Sequence, residues 1–219
     1  MNKDKLIKRF KQAKLYCFSP GKLCGNRDPL AIVEEELKGG ADVIQLREKY
    51  RPKKEIIEIG FYIKALTRKY NALFIVNDDL DIALILDADG LHLGQDDIPI
   101  EYARAFMKDK LIGISTHSLE QARDAIKKGA DYIGFGPIFE TSTKEKKEKV
   151  VGLEAIKILN NFCPIPYVAI GGIGLDNLSS VLKQGCRTVA IISDIINSSN
   201  IERRCRQIKE LIFQADQVI

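Results

Sequence analysis

The sequence lacks the features that mark several large protein classes. Its five cysteines include no C-x-x-C pair of the kind that zinc ribbons and redox motifs use. No stretch approaches the roughly 18 apolar residues of a membrane span, and the basic N-terminal segment has no apolar core of a signal peptide. We therefore expect free thiols in a reducing compartment, and a soluble, cytoplasmic protein that does not contact a membrane.

A large excess of charge of one sign is also lacking. The 34 lysines and arginines are nearly balanced by 30 aspartates and glutamates, and the net charge of +4 gives no case for nucleic acid as a partner. Covalent catalysis has little support, because the sequence shows neither the chain order of a serine hydrolase triad nor a nucleophile elbow. The sequence does not determine the oligomeric state, and the expected partners include further copies of the chain in a homo-oligomer.

What the chain does contain is a repeated alternation of short apolar runs and amphipathic helical segments. The runs are LYCF (15–18), DVIQL (42–46), LFIV (73–76), GLHL (90–93), LIGI (111–114), DYIGF (131–135), PYVAI (166–170) and TVAII (188–192). Strands separated by helices pair in parallel, and continuously apolar runs are typical of strands buried on both faces. The pattern predicts an α/β protein with a single (β/α)₈ TIM-barrel domain over residues 1–219. A doubly wound open sheet is the alternative, but no G-x-G-x-x-G motif follows the first run.

A short helix is predicted ahead of the first run. In residues 1–14, Leu6, Ile7 and Phe10 have the spacing of one apolar helix face. We expect this N-terminal helix to pack on the outside of the barrel. A helix that lies on a membrane surface is less consistent with so short an apolar face.

Two cations follow the second apolar run, and polar residues at such positions are candidates for chemistry because parallel barrels build their active sites where strands enter the following loops. Arg47 and Lys49 combine a guanidinium with an ammonium, a combination that suits phosphoryl oxygens. The alternative is a surface salt bridge of these cations with Glu48.

Two carboxylates, Asp78 and Asp97, follow the third and fourth runs. Carboxylates on adjacent loops can share one Mg²⁺, which usually takes one or two of them and completes its shell with water and substrate phosphates. Alternatively each caps a helix, one beginning near Leu80 and the other near Pro99.

A second candidate anion site follows the seventh and eighth runs. Gly171 and Gly172 let main-chain N–H groups approach an anion, and Ile192 and Ser193 occupy the corresponding position after the eighth run. The hydroxyls and ammonium of residues 141–144 also suit anionic groups. A plain tight turn and an ordinary hydrophilic loop are the alternatives. Two anion sites in one barrel suggest group transfer between two phosphorylated molecules.

The two histidines lead to different expectations. His92 lies inside the fourth apolar run, where a packed, hydrogen-bonded core residue is expected rather than a base. His117 lies at the mouth of the predicted barrel, yet Ser118 beside it fits a helix N-cap.

Seven strings of the sequence resemble the thiamine phosphate synthase family. They are QLREK (45–49), ND (77–78), DGLHLGQDD (89–97), IGISTH (112–117), DYIGFGPIFETSTK (131–144), VAIGGI (168–173) and IIS (191–193). They occur in the family's order over about two thirds of the chain. The resemblance implies a TIM-barrel transferase that uses Mg²⁺ and two small-molecule partners, hydroxymethylpyrimidine diphosphate and a thiazole phosphate. Its products are thiamine phosphate and diphosphate.

The resemblance also implies a role for individual residues. The pyrimidine diphosphate falls to Gln45, Leu46, Arg47, Glu48, Lys49, Asn77, Ser115 and Lys144. The Mg²⁺ falls to Asp78 and Asp97. The thiazole phosphate falls to Thr141, Ser142, Thr143, Gly172, Ile192 and Ser193. The catalytic residues are implied to be Arg47, Lys49, Ser115 and Lys144.

In that family the C–O bond breaks first, and the thiazole nitrogen captures the resulting pyrimidine methyl cation. The resemblance implies that Mg²⁺ and the cations neutralise the leaving diphosphate, without a protein nucleophile. Three features depart from the family's pattern, namely the first loop FSPGKLCGNRDP (18–29), Asp79 and the charged stretch EKKEKVVG (145–152). One alternative is a thiazole tautomerase-like isomerase, which needs neither the diphosphate nor a metal. The other is a non-catalytic barrel that binds thiazole phosphate without turnover.

Overall fold

Eight parallel strands form a closed barrel, in chain order from β1 to β8, in a computed structural model that describes residues 1–141 and 148–217. The strands are β1 Leu15–Phe18, β2 Val43–Leu46, β3 Leu73–Asn77, β4 Gly90–Leu93, β5 Leu111–Thr116, β6 Tyr132–Phe135, β7 Tyr167–Ile170 and β8 Val189–Ala190. Pairing of β1 with β8, in which Tyr16 lies opposite Ala190, closes the ring. The predicted TIM barrel is confirmed, and each apolar run corresponds to one strand, with β3 and β5 extending past the C-terminal ends of their runs.

The helices surround the barrel or follow its strands. In the described part of the chain they are α1 Lys3–Gln12, α2 Pro29–Lys38, α3 Lys53–Lys69, α4 Leu80–Ile85, α5 Ile100–Phe106, α6 Leu119–Lys127, α7 Leu153–Asn160, α8 Leu178–Leu182, α9 Ser193–Ile196 and α10 Ile201–Gln217. Local sequence explains where α2 begins, because Asp28 accepts a hydrogen bond from Leu30 N–H at 3.0 Å and Pro29 lies in the first turn. None of these helices is long and apolar enough to cross a membrane.

Apolar side chains fill two layers. The outer layer lies between the strands and the surrounding helices and includes Ile44, Phe74 and Ile133. The inner layer fills the barrel itself and includes Tyr16 and Tyr132. Alternation of side chains along each strand produces the two layers, because successive residues point to opposite faces.

Helix α1 closes the N-terminal end of the barrel. Its Leu6 and Phe10 are 0% and 1% exposed and belong to the inner cluster. The Phe10 ring centroid lies 4.1 Å from that of Tyr132. The helix therefore lies across the opening rather than on the outside of the barrel, because its two large apolar side chains fill space beneath the inner layer.

Candidate active site

Both candidate anion sites lie at the end of the barrel opposite α1. Parallel strands deliver all their following loops to one end, so the loops after β2 to β5 form one half of the site. The loops after β6, β7 and β8 form the other half.

The loop after β2 carries two cations that Glu48 does not neutralise. Glu48 is 7% exposed, and its Oε2 accepts from Arg51 Nε at 3.2 Å while its Oε1 accepts from Gly21 N–H at 3.3 Å. Its ionic partner is thus Arg51, not Arg47 or Lys49. In the described part of the chain, no acidic side chain pairs with Arg47.

The atypical first loop packs on this second loop. Ser19 Oγ accepts a hydrogen bond from Arg47 N–H at 2.9 Å. A short 3₁₀ turn over Gly21–Cys24 follows, and Lys22 Nζ lies 3.2 Å from the centroid of the Tyr50 ring. The first loop therefore supports the backbone of the cation-bearing loop.

Asp78 and Asp97 are brought within hydrogen-bonding reach of each other by the loops after β3 and β4. Lys49 Nζ lies 3.2 Å from Asp78 Oδ2, and Gly94 N–H donates to Asp97 Oδ2 at 2.6 Å. Burial, and then the neighbouring Asp97, raises the pKa of Asp78 to about 6, while Lys49 acts in the opposite direction. Lys49 alone therefore does not offset the burial and mutual repulsion of the two carboxylates.

The backbone at Asp78 has an uncommon conformation. Its φ is +61°, and Asp79 N–H donates to Asn77 O at 2.7 Å around it, which forms a γ-turn. Such a conformation typically costs about 1–3 kcal/mol and is found at functional sites. Asp79 instead pairs with Lys53, whose Nζ lies 3.0 Å from Asp79 Oδ1. Neither Asp78 nor Asp97 makes a side-chain capping bond to α4 or α5, so the capping alternative is not supported.

The chemistry of this donor set fits Mg²⁺. Asp78 and Asp97 supply hard carboxylate oxygens, and a shared cation would offset their mutual repulsion. No group of three or more His, Cys, Asp or Glu side chains that could hold a metal occurs among residues 1–141 and 148–217. The remaining ligands would have to come from water and substrate phosphates, which is the usual arrangement for this ion.

The loop after β6 lies against the end of β7. Phe139 N–H donates to Gly171 O at 3.0 Å. A Cβ on Gly172 would lie 2.4 Å from Glu140 O, and its φ of +63° is one that glycine adopts readily. The double glycine is thus required by this close contact, which also brings Thr141 near the end of β7.

The loops after β7 and β8 are fastened together by Asp194. Its Oδ2 accepts from Leu175 N–H at 3.2 Å, and its Oδ1 pairs with Arg204 Nη1 at 2.9 Å. Ile192 directly precedes α9, and Ser193 begins it. The first amides of a helix have no intrahelical acceptor, so they are available to an anion at this end of the barrel.

Several other predicted residues lie where a ligand role is limited or is not described. Leu46 packs toward α3, where a Cβ on Gly60 would lie 3.0 Å from its Cδ2, so only its backbone can reach the mouth. His117 Nδ1 lies 2.6 Å from Gly136 O, and Ser118 caps α6 as predicted. Outside the described residues lie Ser142, Thr143 and Lys144.

Sequence reasoning missed a buried hydrogen-bonded chain inside the barrel. Gln45 Nε2 donates to Tyr16 Oη at 2.7 Å, and Tyr16 Oη lies 3.3 Å from Tyr132 Oη. Tyr132 Oη lies 3.0 Å from His92 Nδ1, and His92 Nε2 lies 2.9 Å from Ser115 Oγ. His92 is thus a buried, doubly hydrogen-bonded core residue, as expected. The two tyrosines inside apolar runs were the available signal, because a buried phenol needs a partner.

Sequence comparisons with known proteins give consistent matches. The family described as thiamine monophosphate synthase matches residues 15–195. The thiamine-phosphate synthase of Halalkalibacterium halodurans is 44% identical over 92% of this chain and 96% of that protein. The thiamine-phosphate synthase of Dictyoglomus turgidum is 41% identical over 97% of this chain and 96% of its own.

A solved structure gives the same result in three dimensions. The thiamine phosphate pyrophosphorylase of Pyrococcus furiosus superposes with a TM-score of 0.87 at 39% identity, over 94% of this chain and 98% of that chain. The identity and coverage of these relatives are high enough to establish membership. The chain belongs to the thiamine monophosphate synthase family, a family of transferases.

Proposed function

We propose that this protein is a Mg²⁺-dependent thiamine phosphate synthase that couples hydroxymethylpyrimidine diphosphate to hydroxyethylthiazole phosphate, with release of diphosphate. The observation that carries the proposal is the cluster of Lys49, Asp78 and Asp97 on neighbouring loops, with Lys49 Nζ 3.2 Å from Asp78 Oδ2. Cations and metal-binding carboxylates side by side suit a diphosphate group, which needs both.

Charge neutralisation is the main role of the chain's own residues. Arg47 has no acidic partner among the described residues, so its guanidinium is available to phosphoryl oxygens. Lys49 can bind the same group while it keeps contact with Asp78. Mg²⁺ held by Asp78 and Asp97 would supply Lewis-acid stabilisation of the leaving diphosphate. We assign Lys144 the same role as Arg47 and Lys49, which is to neutralise the charge of the leaving diphosphate.

The reaction needs no proton transfer to the protein. The C–O bond to the pyrimidine methylene breaks, and its electron pair leaves with the diphosphate. The lone pair of the thiazole nitrogen then forms the new C–N bond and yields the thiazolium product. The absence of a nucleophile elbow from the sequence fits this course.

The thiazole phosphate is proposed to bind at the other half of the mouth. Gly172 and Ser193 would present main-chain amides to its phosphate, and Thr141 would add a hydroxyl. Ser142, Thr143 and Ile192 complete the proposed set. Asp194 supports this half, because it ties the loops after β7 and β8 together through Leu175 N–H at 3.2 Å. All five cysteines are free thiols, which supports a cytoplasmic location.

A coupled assay with both substrates tests the proposal. The purified protein, both substrates and Mg²⁺ are incubated, and thiamine phosphate is detected by thiochrome fluorescence after oxidation. We expect product together with one diphosphate per turnover, and loss of product when the metal is chelated. The Asp78→Ala variant should lose Mg²⁺-dependent coupling but retain its fold. Asp124→Ala, which removes an exposed carboxylate of α6 that pairs with Lys128, is the matched control and should be unaffected.

The two alternative functions give different results in the same experiment. A non-catalytic barrel would bind thiazole phosphate in calorimetry but form no product with both substrates present. An isomerase would change the thiazole phosphate when the diphosphate is omitted, and its activity would survive in Asp78→Ala.

A further inference from the structure

A single hydrogen-bonded chain crosses the barrel interior between two strands that carry proposed ligand-binding residues. It runs from Gln45 on β2 through Tyr16, Tyr132 and His92 to Ser115 on β5, with successive distances of 2.7, 3.3, 3.0 and 2.9 Å. The first four residues are at most 8% exposed. Ser115 is half-buried, at the end of β5 where the strand reaches the mouth.

The barrel provides space for this chain at two glycines. A Cβ on Gly113 would lie 2.1 Å from the Tyr132 ring, and a Cβ on Gly134 would lie 3.3 Å from the His92 ring. The Tyr132 ring therefore lies directly over β5, and the imidazole lies over β6. A side chain at Gly113 would displace the Tyr132 ring, and one at Gly134 would push the imidazole by a few tenths of an ångström, so both glycines help to set the ring positions.

The order of donors and acceptors along the chain follows from its first member. An amide nitrogen can only donate, so the Gln45 proton goes to Tyr16 Oη. Among the described residues the Tyr16 hydroxyl proton has no acceptor other than Tyr132 Oη, so the order that satisfies both buried phenols has Tyr16 donating to Tyr132 and Tyr132 donating to His92 Nδ1. Burial raises the pKa of both phenols, which keeps both protons in place at neutral pH.

The order ends at Ser115. When Nδ1 of His92 accepts, its neutral imidazole carries the proton on Nε2, which donates to Ser115 Oγ at 2.9 Å. In the part of the chain that the structure describes, the Ser115 hydroxyl proton has no acceptor. That proton is therefore left for a ligand at the mouth.

We propose that Tyr16, Tyr132 and His92 are positioning residues, which hold His92 as the Nε2–H tautomer and thereby present the Ser115 hydroxyl as a donor to an acceptor atom of the diphosphate substrate. This inference rests on the proposed function for the identity of that substrate. The order of protons itself is a property of the protein without ligands.

Nitrogen NMR of the ligand-free, full-length protein tests the order directly. The protein has two histidines, so ¹⁵N-histidine labelling gives two imidazole spin systems, and a His92→Gln variant assigns one of them. We expect His92 to have a bare Nδ1 and a protonated Nε2. The opposite tautomer would mean that the chain runs from Ser115 toward Gln45, and would overturn the proposal.

Substitution of the central phenol tests the coupling to Ser115. Tyr132→Phe should allow the Nδ1–H tautomer, and should lower kcat/KM for the pyrimidine diphosphate by about tenfold, as expected for one lost hydrogen bond. The KM for thiazole phosphate should stay unchanged. Tyr167→Phe is the matched control, because that phenol donates to Asn160 on the outer layer at 2.7 Å and should change neither quantity.

A double-mutant cycle separates positioning from general loss of stability. Ser115→Ala should keep the wild-type tautomer, and in that background Tyr132→Phe should have no further effect on kcat/KM. An unchanged effect would mean that Tyr132 acts by another route, and would contradict the proposal. If Tyr132→Phe does not fold, Tyr16→Phe repeats the test one bond further along the chain. Failure to form thiamine phosphate at all would refute the proposed function but leave the tautomer result valid.

Discussion

The carboxyl of Asp78 should titrate well above the range of an ordinary aspartate, and this titration should depend on Asp97 and on Mg²⁺. Its pKa is raised from 3.8 to about 6, first by burial and then by the adjacent Asp97. The side chain is 27% exposed, so solvent screens the effect only in part.

The sign and size of the effect on stability follow by linkage. The folded protein holds the Asp78 proton more tightly than the unfolded chain does, so this group favours folding most below pH 3.8. As the pH rises from 3.8 to about 6, the favourable contribution is lost. The difference corresponds to about 3 kcal/mol in the free energy of unfolding above that window. Bound Mg²⁺ should restore part of it, because the metal binds only the ionised carboxylate.

Carboxyl-carbon NMR of ¹³C-labelled protein measures this titration. The resonance is assigned with Asp78→Asn, and the midpoint is compared with and without Mg²⁺ at equal ionic strength. We expect a midpoint near 6 without metal and a lower apparent midpoint with saturating Mg²⁺. In Asp97→Asn the midpoint should fall only part of the way to 3.8, because burial is the larger cause.

Two results would refute this reasoning. A midpoint near 3.8 in the wild-type protein would mean that Asp78 is neither desolvated nor close to another charge. A titration midpoint that does not change with Mg²⁺, while the coupling reaction still requires the metal, would mean that other residues bind the metal.

Three further predictions concern single side chains. Lys49→Ala should lower kcat of the coupling reaction by about 100-fold in steady-state assays, because a cation is lost beside the leaving group, whereas Lys53→Ala, which removes a more exposed lysine, should change it little. Gly172→Ala should raise the KM for thiazole phosphate at least tenfold through its clash with the neighbouring loop, whereas Gly129→Ala, with a positive φ but open space around it, should cost only stability. Glu36 is fully buried, its carboxylate oxygens have no hydrogen-bond partner among residues 1–141 and 148–217, and burial raises its pKa, so wild-type stability should fall as the pH rises above 4.5. Urea unfolding at several pH values should show a smaller fall in Glu36→Gln than in the wild type, because the contribution of Asp78 persists in that variant, and an equal fall would refute the assignment.

The fold was predictable because its signal is distributed along the chain. Each strand from Leu15–Phe18 to Val189–Ala190 coincides with or overlaps an apolar run that the sequence makes visible. The position of α1 was not predictable, because Leu6 and Phe10 would give the same pattern on the outside of the barrel as across its end. Helix periodicity identifies an apolar face and does not specify what that face contacts.

The candidate site was predictable only in part. Asp78 and Asp97 could be picked out because each follows a strand, but two helix caps would have given the same letters. The partner of Asp79 could not be inferred, because Lys53 lies 26 positions earlier and reaches it only through the packing of α3 beside α4. The Tyr16–Tyr132 contact likewise depends on barrel closure, which places β1 and β6 across the interior from each other.

Closure of the barrel by α1 has a consequence for the opposite end. With the Phe10 ring centroid 4.1 Å from that of Tyr132, α1 covers the two buried phenols from below. A water molecule can donate or accept, so one that entered from below would satisfy the phenols in either order and erase the direction of the chain. Removal of the first 12 residues would leave every ligand-binding loop intact in sequence. It should nevertheless change which way the Ser115 hydroxyl points its proton.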